Sequence, residues 1–148
     1  MDIFEAIELD HQEIRRLIHR LKGLEENDRT NQEKAFEELK ELLLLHHEAE
    51  ERTFFHALLD DRKARHEGMH ALQEHGEHKK VLEQMDDMRP GSDNWWERFD
   101  ELEHDILHHL EEEEEDIFPL ARKVFSKQEA EDLGTRIGQV KGGLNAQT

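Results

Sequence analysis

His46-His47-Glu48-Ala49-Glu50-Glu51-Arg52-Thr53-Phe54-Phe55 is the stretch on which the reading of this chain turns, because it occurs twice. The second copy is His109-Leu110-Glu111-Glu112-Glu113-Glu114-Glu115-Asp116-Ile117-Phe118, aligned without a gap. An upstream pair repeats as well: Asp10-His11-Gln12-Glu13-Ile14-Arg15-Arg16-Leu17-Ile18 matches Glu74-His75-Gly76-Glu77-His78-Lys79-Lys80-Val81-Leu82. The offset is 64 residues from His11 to His75 and 63 from His46 to His109, so the halves differ by one residue. Each half supplies a lone His and then a His-x3-Glu. Two such half-sites facing each other make a dinuclear metal centre.

Working outward, caps and loops divide the chain into helices. Asp2 can cap a first helix to about Glu25, and Thr30-Asn31-Gln32-Glu33 reads as a capping box for a second, to about Asp60. A third covers roughly Arg65 to Met88. Arg89-Pro90-Gly91-Ser92-Asp93 is the clearest loop signal. Asn94-Trp95-Trp96-Glu97 reads as a capping box for a fourth helix, to about Val124. Ser126-Lys127-Gln128-Glu129 opens a short fifth helix, and Gly134, Gly138, Gly142 and Gly143 are expected to make the tail progressively less regular. Apolar residues, with Thr53 among them in the second helix, recur at spacings of three and four: Phe4, Ile7, Ile14, Ile18 and Leu21; then Phe36, Leu39, Leu43 and Ala57; Leu72, Leu82 and Met85; and Phe99, Leu102, Ile106 and Leu120. His11, His46, Glu50, His75, His78, His109 and Glu113 fall on those same stripes. The expected fold is all-α, an up-down-up-down four-helix bundle with a short C-terminal fifth helix. It forms one domain over residues 1–148, with the bundle at about 2–124 and the short helix and tail at 126–148.

Composition agrees. With 34% hydrophobic and 39% charged residues, the helices have narrow apolar stripes and wide solvated faces. A formal net charge of −18 argues against nucleic acid or an anionic membrane surface as partner. No apolar run is long enough to span a membrane and the N-terminus has no signal-peptide pattern, so the expectation is a cytoplasmic protein. Cysteine is absent, which removes disulfides, thiolate metal sites and iron–sulfur clusters; tyrosine is absent too. What remains for metals is carboxylate and twelve histidines, a set suited to iron, zinc, manganese or nickel.

An isolated ionised carboxylate is costly to bury, and Glu50 and Glu113 lie at core positions with no basic neighbour in the pattern. A metal would neutralise them, and a His and a Glu at i and i+4 can reach the same ion. His78 matches Ile14 in the repeat and is either an additional ligand or a buried histidine hydrogen-bonded beside the site. His47 lies off the stripe. His19, His66, His70, His104 and His108 read as surface residues, and of the run Glu111 to Glu115 only Glu113 faces inward. Glu51 and Glu114 are candidates to support the ligands. A ferritin-like site would use Glu-x-x-His twice. Glu8-x-x-His11, Glu67-x-x-His70 and Glu101-x-x-His104 fit that string but break the repeat.

The order lone His, His-x3-Glu, lone His, His-x3-Glu resembles the hemerythrin-like, or HHE cation-binding, family. The likeness is carried by His46-x3-Glu50-Glu51-x3-Phe55, His109-x3-Glu113-Glu114-x3-Phe118-Pro119, Asp10-His11 and Glu74-His75. It covers about residues 1 to 125, and the tail around Leu133-Gly134 is similar too. The resemblance implies a non-haem di-iron centre with an oxo or hydroxo bridge. It also implies ligands His11, His46, Glu50, His75, His109 and Glu113, the two glutamates bridging. Oxygen-carrying members have His-x3-His on the third helix and His-x4-Asp on the fourth. Here Ala71 and Lys79 flank His75, and the fourth helix has His-x3-Glu. The implied function is binding or reducing a small oxidant (dioxygen, peroxide or nitric oxide) for sensing or detoxification. The alternative is a non-catalytic iron-binding or iron-sensing module. Whether the protein is an enzyme, and its oligomeric state, stay open at this stage.

Overall fold

In the computed structural model, which describes residues 1–146, every regular element is helical. They are α1 (Ile3–Lys22), α2 (Arg29–Glu50), a π-helical turn π1 (Glu51–Phe55), α3 (His56–Leu59), α4 (Arg65–Asp86), α5 (Asp93–Glu112), a second π-helical turn π2 (Glu113–Ile117), α6 (Phe118–Val124) and α7 (Lys127–Ala146). The runs α2–π1–α3 and α5–π2–α6 are each one continuous rod. Helix α1 packs on α2, α2 on α4, α4 on α5, and α5 back on α1, which closes the four-helix bundle; α7 lies over α1 and α2.

Local chemistry explains the boundaries. Asp2 caps α1 as expected: its Oδ1 accepts from the Glu5 N–H at 2.9 Å and Glu5 reaches back to the Asp2 N–H. Two other caps differ from expectation. Helix α2 starts on Asp28, not Thr30, with Asp28 accepting from the Asn31 backbone and side-chain amides. An anionic side chain there meets the positive helix end as well as satisfying a free N–H. Helix α5 starts on Ser92, not Asn94, because the turn before it delivers Ser92 in an extended conformation. In that turn the Ser92 N–H donates to Arg89 O at 3.1 Å, and Gly91 takes φ +80°, which only glycine adopts without strain.

The fifth helix is not short. Ser126 and Glu129 open it as expected, by forming a capping box, but α7 then runs 20 residues through all four glycines. Tertiary packing outweighs glycine's weak helix propensity. Ala130, Leu133 and Ile137 are buried against α1 and α2. Gly134 allows the closest approach: a Cβ there would run into Met1 O and the Asp2 backbone.

The core is two apolar clusters with a polar layer between them. One cluster gathers Ile14, Phe36, Leu82, Trp95, Phe99 and Ile106 among others; the second gathers Phe4, Ile7, Phe54, Phe55, Ile117 and Phe118. His11, His46, Glu50, His75, His109 and Glu113 form the layer, none more than 3% exposed. Both π turns begin at this layer, directly after or on the glutamate of each His-x3-Glu. Pro119 follows π2 but its counterpart is His56, so proline is not the shared cause. The shared element is the buried glutamate, and single π turns are frequent at functional sites. Within the first π turn the Thr53 hydroxyl donates to the Ala49 carbonyl at 2.8 Å.

Candidate metal centre

The four bundle rods bring their polar residues, one or two each, to the same height. Helix α1 supplies His11, α2 supplies His46 and Glu50, α4 supplies His75, and α5 with π2 supplies His109 and Glu113. They fall into two four-residue groups, His11–His46–Glu50–Glu113 and Glu50–His75–His109–Glu113, whose ligand atoms lie within 4.8 Å of one another. The groups share both glutamates. Within them, His46 Nε2 is 3.0 Å from Glu50 Oε1, His11 Nε2 is 3.2 Å from Glu113 Oε1, His109 Nε2 is 3.4 Å from Glu113 Oε2, and His75 Nε2 is 3.5 Å from Glu50 Oε1.

Those separations fit cation ligands. Two donors about 2.1 Å from one ion at 90–110° sit about 3.0–3.4 Å apart. Hydrogen bonding accounts for one contact in the layer, between His75 Nε2 and His109 Nε2 at 3.1 Å, and leaves the rest. All four carboxylate oxygens of Glu50 and Glu113, with His11 Nε2 and His46 Nε2, are buried without a hydrogen-bond partner. Buried polar atoms are nearly always satisfied, so six orphans converging on two points fit groups that hold cations.

The outer ring nitrogens have partners. His46 Nδ1–H donates to Asp10 at 2.8 Å, His109 Nδ1–H to Glu74 at 2.9 Å, and His11 Nδ1–H to Glu114 at 2.8 Å. Each bond fixes the tautomer that turns a bare Nε2 inward. The arrangement follows the repeat: the acid before each lone His serves the other histidine of its half, and the Glu after a shared Glu serves the lone His of the opposite half. Glu114 therefore supports His11, as does Glu51 His75, though at a looser 3.7 Å.

Without a cation the layer is electrostatically frustrated. Burial, then the charge of Glu113, pushes Glu50 well above the usual carboxylate range. Glu113 stays ionised: burial would raise it, but the close approach of Glu50, His109 and His11 outweighs that. The pair thus shares one proton, as closely spaced carboxylates do. Burial would lower His109, yet the nearby Glu113 carboxylate and the hydrogen bond to Glu74 raise it to about 10.

Two further histidines sit beside the layer. His78 is buried and belongs to neither group; its ring centroid is 5.4 Å from that of His109, and burial with the neighbouring His109 pushes it down to about 3. His47, expected off the core stripe, is also buried, and its ring stacks on His75 with centroids 3.8 Å apart. The helical period misses it because α2 has two covered faces, one toward α1 and one toward α4. The surface reading of His19, His66, His70, His104 and His108 agrees with their exposure. No helix among the described residues is long and apolar enough to cross a membrane.

The comparisons with known proteins point the same way. The fold superposes on the crystal structure of a hemerythrin HHE cation binding domain-containing protein from Mycobacterium kansasii, with a TM-score of 0.82 and 22% identity, covering 97% of this chain and 89% of that one. At that identity the likeness is one of fold. No curated relative matches the chain. Residues 2–121 match the family described as the hemerythrin HHE cation binding domain, and the chain belongs to that family.

Proposed function

We propose that this protein holds two iron ions per chain and uses them to bind or reduce a small oxidant such as dioxygen, peroxide or nitric oxide, in the cytoplasm. The observation that carries the reading is the pair of buried donor groups sharing Glu50 and Glu113. Mixed imidazole and carboxylate donors suit iron, and eight donor contacts from six residues leave positions for an exogenous ligand. A ferrous pair supplies two electrons to such an oxidant. The chain's own contribution is positional. Asp10, Glu74 and Glu114 keep the Nδ1 protons of His46, His109 and His11 in place, so each Nε2 stays available. The apolar clusters on either side exclude bulk water from the layer.

A second reading, a non-catalytic iron-responsive module, is favoured by one observation. Lys141 on α7 pairs with Asp10, and Asp10 holds His46. The C-terminal helix is thereby joined to the layer through two side chains.

Elemental analysis of protein produced with adequate iron should give two metals per chain, and zero or one would overturn the dinuclear reading. The visible spectrum of the reduced, iron-loaded protein should then change on adding air or peroxide and return on re-reduction. An unchanged spectrum with reversible iron loss would select the second reading.

A further inference from the structure

The two half-sites match in their ligands but not in what covers them. Over the first, α7 lies on α1 and α2, Lys141 pairs with Asp10, and Arg15 holds Glu114 at 2.8 Å. The Phe118 ring lies parallel to His11, with centroids 6.3 Å apart, whereas its counterpart Phe55 meets His75 edge-on at 5.4 Å. Beside the second, a cavity of about 290 Å³ between α2 and α4 reaches His75 itself. His47, Glu48, Glu51, Gly76 and Lys79 also line it.

The repeat shows which residues make the difference. Gln12 stands where Gly76 does, Arg15 where Lys79 does, and Leu110 where His47 does. Arg15 clamps its carboxylate, whereas Lys79 pairs with none of the described residues. Leu110 is part of the apolar core. His47 is buried as well, yet its Nε2 has no hydrogen-bond partner, and the Nδ1 of His75 has only Glu51 at 3.7 Å, beyond hydrogen-bond distance. Burying two unsatisfied imidazole nitrogens costs stability unless something binds them. A Cβ on Gly76 would meet nothing within 4 Å, so the glycine relieves no clash; it leaves space.

We propose that this cavity takes up the small ligand of the metal centre and delivers it to the His75–His109 half rather than the His11–His46 half. The ligand class is a polar molecule of two or three heavy atoms that hydrogen-bonds to imidazole. Glu48 and Glu51 in the wall, and the acidity of the whole chain, turn away multiply charged anions. The proposal rests on the metal-centre reading above.

The chain has no cysteine, so Gly76→Cys introduces a single thiol that can be capped after folding and iron loading. Gln12→Cys, at the matching position of the first half, is the control. The probe is azide, whose association with the ferric protein is followed by visible absorption. Capping Gly76→Cys with a benzyl thiosulfonate should slow azide association by roughly tenfold or more, and a methyl cap by less. Capped Gln12→Cys should bind azide at the uncapped rate, with two metals per chain throughout. Equal rates for every cap at Gly76→Cys, with metal content intact, would overturn the proposal. So would slowing confined to Gln12→Cys. A protein that holds no metal before capping would instead sink the metal-centre reading, and this proposal with it; elemental analysis separates the two failures.

Discussion

At the residue scale, His75 and His78 make the sharpest comparison. They are three positions apart on α4 and both buried, but only His75 belongs to a donor group. His75→Ala should leave one metal per chain. His78→Ala should keep two, with affinity reduced by about 10–100-fold at most, as for a residue beside a ligand. Metal stoichiometry at saturating iron decides it, and a His78→Ala protein with one metal would show that α4 supplies two ligands. Glu74→Gln tests the outer partners in the same range: it keeps an acceptor for His109 but removes the charge, so weaker binding with an unchanged count of two is expected. The six inner residues could be read from the sequence because each occurs at the same place in both halves and on its own apolar stripe. The roles of Asp10 and Glu74 could not, since each acts across to a histidine on another helix. His47 escaped for the reason already given, a second covered face on α2.

At the scale of elements, α7 is where local propensity and tertiary packing disagree. Glycines predict fraying; burial of Leu133 and Ile137 overrides it. The two kinds of glycine in that helix can be separated by mutation. Gly134→Ala drives a methyl into the Met1 and Asp2 backbone and should cost about 1–3 kcal/mol. Gly138→Ala meets open space and should stabilise by about 0.5–1 kcal/mol. Urea titrations of the two variants should therefore shift in opposite directions; a shift the same way for both would mean that α7 is not docked as described. The four bundle helices were legible to within a few residues. Their starts were less so, because capping strings overlap: Asp28 competes with Thr30, and Ser92 with Asn94, and charge or turn geometry settles the choice. The π turns left no trace in the apolar pattern. Only the position of a buried carboxylate at the end of each His-x3-Glu hints at them.

At the scale of the whole molecule, the polar layer divides the core, so its occupancy governs stability. Removing metal should lower Tm, because binding free energy to the native state is also folding free energy. The effect should grow with pH. His109 is raised to about 10 and His11 is raised as well, in each case by carboxylate partners acting against burial. Their folded pKa values exceed the unfolded 6.5. The stability they give the metal-free protein is therefore complete below pH 6.5 and lost as pH rises through the folded values. Metal binding needs those imidazoles deprotonated and strengthens over the same window. The Tm gap between loaded and metal-free protein should widen from pH 6.5 toward 10, by thermal melts followed by circular dichroism; a gap that narrows would contradict this arrangement of charges. The Lys141–Asp10–His46 chain has a separate use. Asp10 divides its negative charge between an imidazole and an ammonium, so any change of charge at His46 alters its hold on Lys141, 131 residues further along the polypeptide. A fluorescent label near the end of α7 would then act as a gauge of cation arrival, read from the outside of the protein without touching the layer it monitors.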